Sequence, residues 1–277
     1  MPLSDQAIVQ VATGSTGSTD ASTSYVILPT PASAGNVVLM SAAISFASIT
    51  DYVYPNQSSG HPTPNEATAF TGSPVLKPNC PRVQCFGTYL LADNDTWQFD
   101  WIRASDTAPQ ATGVAWTAVE LQGLTPFYPS GPPGPPVIPW EPTGSSYWWY
   151  EGGVATVADS GDYGASQCAF GVFYLASFAA WVSTSRPPEV VDLVESTNTA
   201  WGGWTPLAPN VRTTNVSTPN VGLDCAYKIA YGSGQFDCQA TYGQAPGGIA
   251  LIKDAFVADY LAPQRTGYRA AVQGSIG

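Results

Sequence analysis

Charged side chains are scarce in this chain of 277 residues. They make up 10% of it, against about 25% in typical soluble domains. Basic residues are the scarcest, because 9 Lys and Arg stand against 20 Asp and Glu, which gives a formal net charge of −11. Such a chain would repel a phosphate backbone, so nucleic acid is not an expected partner.

Histidine and cysteine are also few, which removes several kinds of site from consideration. His61 is the single histidine, and no GxSxG motif offers it a nucleophilic serine. The five cysteines include no CxxC pair, so the usual zinc ligand sets cannot be assembled. We therefore predict no catalytic residue, no metal and no cofactor. Four cysteines lie in apolar strand patterns and are predicted to be buried: Cys85, Cys168, Cys225 and Cys238.

Long apolar runs are missing as well. No stretch approaches the about 18 apolar residues that a membrane span needs, and Met1 to Gln6 lacks the basic and apolar regions of a signal peptide. We expect synthesis in a cytoplasm and no membrane insertion. Export, if it occurs, would take another route, such as leaving inside a virus particle after host lysis.

What the chain does contain is a repeat with a spacing of about 137 positions. Three strand-like runs occur in the same order in both halves, a period that suits two copies of an all-β module. In the first half they are Cys85–Leu91, Gln98–Asp100 and Gly113–Val119; in the second they are Cys225–Tyr231, Gln235–Asp237 and Gly248–Lys253.

The domain boundaries follow from this repeat. Residues 125–144 contain eight prolines, which cannot join a sheet and favour an extended spacer. We predict an all-β chain of two tandem antiparallel β-sandwich domains, of jelly-roll or immunoglobulin-like topology. The first spans residues 1–124, a Pro/Gly-rich linker spans 125–144, the second sandwich spans 145–258, and a C-terminal arm spans 259–277.

Local patterns predict the strands within each half. Residues 85–91 and 96–102 are predicted to form a hairpin around an Asp- and Asn-rich turn, and Tyr231 to Gln235 to form the corresponding turn of the second half. Val114 to Leu121 is apolar on both faces and is predicted to be a central strand. The proline-containing segments 51–82 and 197–219 are predicted to be long connections.

Aromatic residues are the main candidates for binding. Flat rings stack on sugars or fill protein interfaces, and the candidate glycan or interface aromatics are Trp148, Trp149, Trp201 and Trp204. The terminal arm is a candidate docking arm for neighbouring chains, with Tyr260, Arg265, Tyr268 and Arg269 as its contacts. Asp100 and Asp237 occupy equivalent repeat positions and are interpreted as outward, solvated acids.

Several of these motifs resemble a known family. The residues that carry the resemblance are Gly35–Met40, Cys85–Leu91, Trp97–Trp101, Gly113–Gly123 and Gly203–Leu207. They are similar to the β-sandwich module in virion surface proteins of tailed bacteriophages that infect actinobacteria, mostly minor tail proteins and some head-decoration proteins. The first half lacks the Gly-Trp-Thr turn of Gly203–Thr205, and the second has Gly164–Cys168 where the family has an aliphatic strand.

The resemblance implies a non-enzymatic structural component on the exterior of a phage virion, and we expect a minor tail protein at the tail tip. One alternative is a minor capsid or decoration protein on the head. Another is a carbohydrate-binding module for host cell-wall attachment, and a third is a polysaccharide-degrading enzyme. Expected partners are other virion proteins and copies of the chain itself, with host cell-wall glycan under the second alternative.

Overall fold

A computed structural model describes residues 7–17, 23–34, 36–46, 53–57, 83–91, 96–103, 111–122, 148–151, 156–159, 163–164, 168–182, 185–194, 203–215, 219–232 and 235–257. These residues lie almost entirely in antiparallel strands, and no α-helix occurs among them. The predicted all-β class is confirmed. The predicted linker and C-terminal arm lie outside the described residues.

The first half contains two sheets. The first-half large sheet has the strand order β1-β7-β3-β5, and the first-half small sheet has the order β2-β6-β4. Their strands are β1 (Ile8–Gly17), β2 (Thr23–Ile27), β3 (Val37–Phe46), β4 (Val53–Gln57), β5 (Val83–Leu91), β6 (Thr96–Arg103) and β7 (Ala111–Leu121).

The second half repeats this plan with additions. The second-half large sheet has the order β13-β14-β11-β17-β8, the second-half small sheet has the order β12-β16-β9, and β10 pairs with β15. The strands are β8 (Trp148–Glu151), β9 (Val157–Asp159), β10 (Tyr163–Gly164), β11 (Cys168–Val182), β12 (Val190–Val194), β13 (Thr205–Arg212), β14 (Asn220–Gly232), β15 (Gln235–Phe236), β16 (Gln239–Tyr242) and β17 (Gly248–Val257).

The repeat seen in the sequence is therefore also a repeat of topology. The order β1-β7-β3-β5 corresponds to β8-β17-β11-β14, and β2-β6-β4 corresponds to β9-β16-β12. Gly113 pairs with Ser45 on β3, and Gly248 pairs with Trp181 on β11. These registers set an offset of 136 positions between β3 and β11. Strand β13 is the addition that widens the second-half large sheet.

Two hairpin predictions are wrong. Strand β5 pairs with β3 and β6 pairs with β2 and β4, so the chain passes from one sheet to the other between them. Strand β14 likewise pairs with β11 and β13, not with β15 or β16. Asp- and Asn-rich turns favour a reversal of chain direction. Such a reversal occurs both in a hairpin and where the chain passes from one sheet to the other.

Two segments predicted as connections contain strands. Strand β4 lies within residues 51–82 and β13 within 197–219, and both are edge strands of their sheets. Proline is tolerated at an edge because one side of the strand needs no ladder donor, and Pro55, Pro206 and Pro209 lie in these strands. The prediction that Val114–Leu121 is central is confirmed, because β7 lies between β1 and β3.

Alternation along β3 and β11 sends side chains into different cores. In β3, Val38, Met40, Ala42 and Ile44 pack against Val26 and Leu28 beside the first-half small sheet. In β11, the residues 136 positions later pack toward the second-half small sheet with Ala158, Ala240 and Tyr242. They are Tyr174, Ala176, Phe178 and Ala180. Each small sheet thus shares an apolar core with the large sheet of its own half.

A third core joins the two large sheets. Leu39 and Ala43 of β3, on the face opposite Val38, belong to one cluster with Phe173, Leu175 and Ala179 of β11. Phe173 also stacks on Tyr227, with ring centroids 5.4 Å apart. The two halves therefore bury apolar surface against each other, which the repeat alone did not predict.

Candidate functional site

Serine side chains from the two halves meet inside this shared core. Ser41 on β3 and Ser177 on β11 are both buried, and Ser177 Oγ donates a hydrogen bond to Ser41 Oγ at 2.8 Å. The two residues are 136 positions apart, which is the offset between β3 and β11, so equivalent residues of the two copies touch. Such a contact marks an approximate twofold axis between the large sheets.

A cysteine extends this hydroxyl pair. Cys225 Sγ donates to Ser177 Oγ at 3.4 Å, so thiol and hydroxyls form one chain of hydrogen bonds. Burial raises the pKa of the Cys225 thiol to about 11. The thiolate is the reactive form of cysteine, and at neutral pH this thiol is protonated. Cys225 and Cys238 are both buried, as predicted for them.

A polar latch, defined as Thr213, Asn215, Pro219 and Asn220, joins the halves at one edge of the shared core. Asn215 Nδ2 donates to the carbonyl oxygen of Thr112 at 3.0 Å, and Ser45 Oγ donates to the carbonyl oxygen of Pro219 at 3.3 Å. A Cβ added at Gly17 would lie 2.7 Å from Asn215 Oδ1. The end of β1 must therefore lack a side chain for the latch to lie against it.

Asn220 holds the latch in shape. Its Oδ1 accepts hydrogen bonds from the backbone N–H of Asn215 at 2.5 Å and from Thr213 Oγ1 at 3.0 Å. Its Nδ2 donates to the carbonyl oxygen of Asn215 at 2.9 Å. These hydrogen bonds order the latch internally, so less conformational entropy is lost when it contacts the first half.

A buried ion pair lies beside the latch. Arg212 Nη2 is 2.6 Å from Asp224 Oδ2, and both side chains are 2% exposed. The other donors of the guanidinium reach backbone carbonyl oxygens, so all five N–H groups are used. The acceptors are the carbonyls of Pro187 at 3.3 Å, Pro188 at 3.0 Å, Val211 at 3.0 Å and Leu223 at 3.2 Å. Arg212 thus fastens the segment before β12 to β13 and β14.

The surroundings of the ion pair are shaped to fit it. Asn210, with φ of 66°, donates its backbone N–H to Asp224 Oδ1 at 2.9 Å. A Cβ at Gly222 would clash with Arg212 Cδ, so glycine makes room for the aliphatic stem of the arginine. Burial raises the pKa of the Asp224 carboxyl, although the charge of Arg212 acts in the opposite direction.

The first half has its own buried carboxylate, at a different place. Glu120 on β7 accepts hydrogen bonds from Gln10 Nε2 at 2.5 Å, the Ser33 backbone N–H at 2.8 Å and Asn36 Nδ2 at 2.5 Å. Burial acts to raise the pKa of Glu120, but these donors outweigh it and hold that pKa below its ordinary value. Gln10 also bonds Thr30, so the network fixes the segment between β2 and β3.

These groups are arranged to hold the chain together. The hydroxyls of Ser41 and Ser177 bond each other and a protonated thiol, whereas an activated nucleophile needs a base to remove its proton. Arg212 and Asp224 use their hydrogen-bonding capacity on each other and on the backbone. The serine pair thus joins the two large sheets, and the ion pair joins strands and a connecting segment within the second half.

The predicted aromatic residues are distributed unevenly. Trp204 is 5% exposed, and its Nε1 donates to the Asp237 carbonyl oxygen at 2.6 Å, which places its ring in the second-half core. Trp148 and Trp149 lie on β8 and pair with Leu251 and Ala250 of β17; their side chains are outside the described part. Trp201 lies outside the described residues.

Other predicted residues can be placed as follows. Tyr260, Arg265, Tyr268 and Arg269 all lie beyond Val257, outside the described residues. Asp237 is 2% exposed, so its interpretation as a solvated acid is wrong. Its backbone carbonyl accepts the hydrogen bond from Trp204, and the residue lies between the short strands β15 and β16.

Sequence reasoning missed Ser41, Ser177, Arg212 and Asp224. A signal for the serines was present, since each interrupts an apolar strand at the repeat spacing. Arg212 and Asp224 carried a weaker signal, because charged residues in a strand normally face solvent. Only the pairing of β13 with β14 brings them together.

Comparisons with known proteins gave no relative. No protein-family model, no curated protein and no solved structure matches the chain. Within the described ranges there is no group of three or more His, Cys, Asp and Glu side chains placed to hold a metal ion. The same part of the chain has no helix with the length and hydropathy of a membrane span.

Proposed function

We propose that this protein is a non-enzymatic structural component of a tailed-phage virion, acting as a minor tail protein at the tail tip. The observation that carries the proposal is the shared core, where two copies of one strand plan meet at Ser41 and Ser177. Buried polar groups are used there to hold sheets together. A rigid two-copy unit suits a part that transmits load and presents surfaces to neighbours.

The finer architecture belongs to the same proposal. Strands β1 to β7 alternate strictly between the large and the small sheet, and such alternation favours a jelly roll over the immunoglobulin arrangement. We infer two tandem jelly-roll sandwiches joined by the proline-rich linker of residues 125–144, with their large sheets packed against each other. The scarcity of charge and the resemblance to actinobacteriophage virion proteins both support an exterior position on the particle.

Immunogold labelling of purified particles tests the location. An antibody raised against the folded chain should label the tail tip. Gold over the head shell would instead support the decoration-protein alternative. Absence of the chain from purified particles, checked by mass spectrometry of particle proteins, would refute both structural assignments.

Cell-wall glycan binding is the second candidate, and an exposed ring favours it. Tyr25 on β2 is 48% exposed and pairs with Gln98 on β6, and Ile27 pairs with Thr96. An aromatic face beside amide and hydroxyl groups is a common platform for a sugar ring. On a glycan array the parent chain should bind a cell-wall glycan, and Tyr25→Ala should abolish that binding. The variants Trp148→Ala and Trp201→Ala test separately whether those two tryptophans also contribute. No binding by the parent chain would remove this candidate.

A further inference from the structure

The outer face of the second-half small sheet is an acidic and apolar surface. Its outward side chains include Val157 and Val191, which are 40% and 66% exposed, and Asp192, which is also exposed. Asp159 lies on the same face and accepts a hydrogen bond from Gln239 Nε2 at 2.8 Å. Strands β9, β12 and β16 contain no basic residue. The surface therefore combines two carboxylates with exposed valines.

Three of the nine basic side chains are buried or paired in the described part of the chain, and two others lie in the C-terminal tail. Of the nine Lys and Arg residues, Arg212 and Lys228 are buried, and Arg186 is 2.7 Å from Glu189. Residues 258–277 contain two further basic residues, Arg265 and Arg269, and only one acid. This tail is thus net positive, while the remainder of the chain is strongly negative.

The distance between the two acids on the sheet matches the distance between the two arginines in an extended tail. Asp159 pairs with Gln239, and Asp192 pairs with Thr241, so the two acids are two strands apart and two residues apart along them. With a strand spacing of about 4.8 Å and a rise of about 3.3 Å per residue, their Cα atoms are about 12 Å apart. If residues 265–269 were extended, Arg265 and Arg269 would face the same side and would be about 13 Å apart.

The tail can reach this surface from its own strand. Val257 pairs with Val172 at the end of β17 opposite Gly248. Only five residues connect Tyr242, the last residue of β16, to Gly248, the first residue of β17. The two strands therefore run in opposite directions, and Gln239 at the start of β16, with its partner Asp159, lies toward the Val257 end of β17. Seven residues separate Val257 from Arg265 and span up to about 25 Å, while packed sheets are about 10 Å apart.

We propose that residues 258–277 lie across the outer face of the second-half small sheet of the same chain, with Arg265 at Asp159 and Arg269 at Asp192. The aliphatic stems of the two arginines cover Val157 and Val191, as long basic side chains commonly do on apolar surface. The first-half small sheet is a poorer partner, because its strands carry one Asp and one Arg and so no net charge. This assignment does not depend on the virion role.

Zero-length cross-linking of the full chain tests it. In the Arg265→Lys, Arg269→Lys double variant, a carbodiimide should join residue 265 to Asp159 and residue 269 to Asp192, as amides found by mass spectrometry. Glu189, an exposed carboxylate beside Arg186, is the internal control and should remain unjoined to the tail. A mixture of light and ¹⁵N-labelled chains should give joined peptides of one label only. Mixed-label peptides would place the tail on a second copy and overturn the proposal, as would tail cross-links made equally to Glu189.

A second measurement uses the unchanged tail. Trypsin should cut after Arg265 and Arg269 about threefold faster in the Asp159→Asn, Asp192→Asn double variant, since exposed ion pairs contribute modestly. Glu189→Gln should leave the cleavage rate unchanged. Equal rates in all three proteins would contradict the docking of the tail on this face.

Discussion

The two halves share a strand plan but stabilise it with different buried polar groups. In the first half, Glu120 gathers donors from Gln10, Ser33 and Asn36. In the second, Arg212 and Asp224 form an ion pair that fastens the segment before β12. The apolar alternation of β3 recurs in β11. The strand registers place Ala255 at the position equivalent to Glu120, and Phe86 at the position equivalent to Asp224. The two halves therefore share the order of strands in their sheets. The segments that connect the strands are held in each half by a different set of polar contacts.

Removing one member of the ion pair should have the largest effect. Asp224→Ala leaves the Arg212 guanidinium buried without its counter-charge, and we expect a loss of about 3–5 kcal/mol in the free energy of unfolding, measured by urea denaturation. Asp192→Ala, which removes an exposed acid of the same half and its proposed contact with Arg269, should cost less than about 1 kcal/mol. The double variant Arg212→Met, Asp224→Leu should recover part of the loss, and a double variant worse than Asp224→Ala would contradict this account.

Glu120→Gln tests the corresponding group of the first half. The NH₂ group of the new amide would face N–H groups that now donate to the carboxylate, and one of these would lose its acceptor. We expect a loss of about 1–3 kcal/mol in the free energy of unfolding at pH 7, again measured by urea denaturation. A loss equal to that of Asp224→Ala would show that the two buried carboxylates contribute equally to stability.

Acid should separate the two carboxyls further. The folded-state pKa of Glu120 lies below its ordinary value of 4.5, so its stabilising contribution is present above pH 4.5 and is lost as the pH falls through the folded pKa. The pKa of Asp224 is raised, so its own titration favours the fold at low pH and that contribution fades as the pH rises. The stability difference between the parent chain and Glu120→Gln should therefore shrink from pH 7 to pH 3. A difference that grew would contradict the direction of the Glu120 shift.

The smallest expected effect is at the contact between the halves. Ser177→Ala leaves the Ser41 hydroxyl without its donor in the shared core, which should cost about 1–2 kcal/mol. Removing both hydroxyls in Ser41→Ala, Ser177→Ala should cost less than the sum of the two single changes, because neither serine hydroxyl is then left facing a missing partner and the Cys225 thiol that loses its acceptor is only a weak donor. Strict additivity in a double-mutant cycle would mean that the two serines do not interact.

The main strands could be predicted from the sequence, and their partners could not. Strands β3, β7 and β11 could be recognised in the sequence as continuous apolar runs, because side chains on both faces of each strand are buried in two different cores. The hairpin between β5 and β6 was wrong because turn residues specify a reversal and leave the partner sheet open. Strand β13 was missed because an edge position tolerates Pro206 and Pro209.

The repeat alignment also carries a shift that sequence alone could not detect. Cys85 pairs with Ala43, whose equivalent Ala179 pairs with Leu223, so the counterpart of Cys85 is Leu223 and not Cys225. A two-residue slip keeps every side chain on the same face of a strand, and so the apolar pattern matches equally well. The site is missed for a similar reason, since Ser177 gains its meaning only from a partner on another sheet.

The meeting of Ser41 with Ser177 constrains how such a chain could have arisen. If a single copy once paired with an identical partner, the residue on the symmetry axis had to be compatible with itself. A hydroxyl both donates and accepts a hydrogen bond, so serine satisfies that demand, whereas a carboxylate or an ammonium group would repel its twin. In a single polypeptide the two positions could differ from each other, and both carry the self-complementary residue.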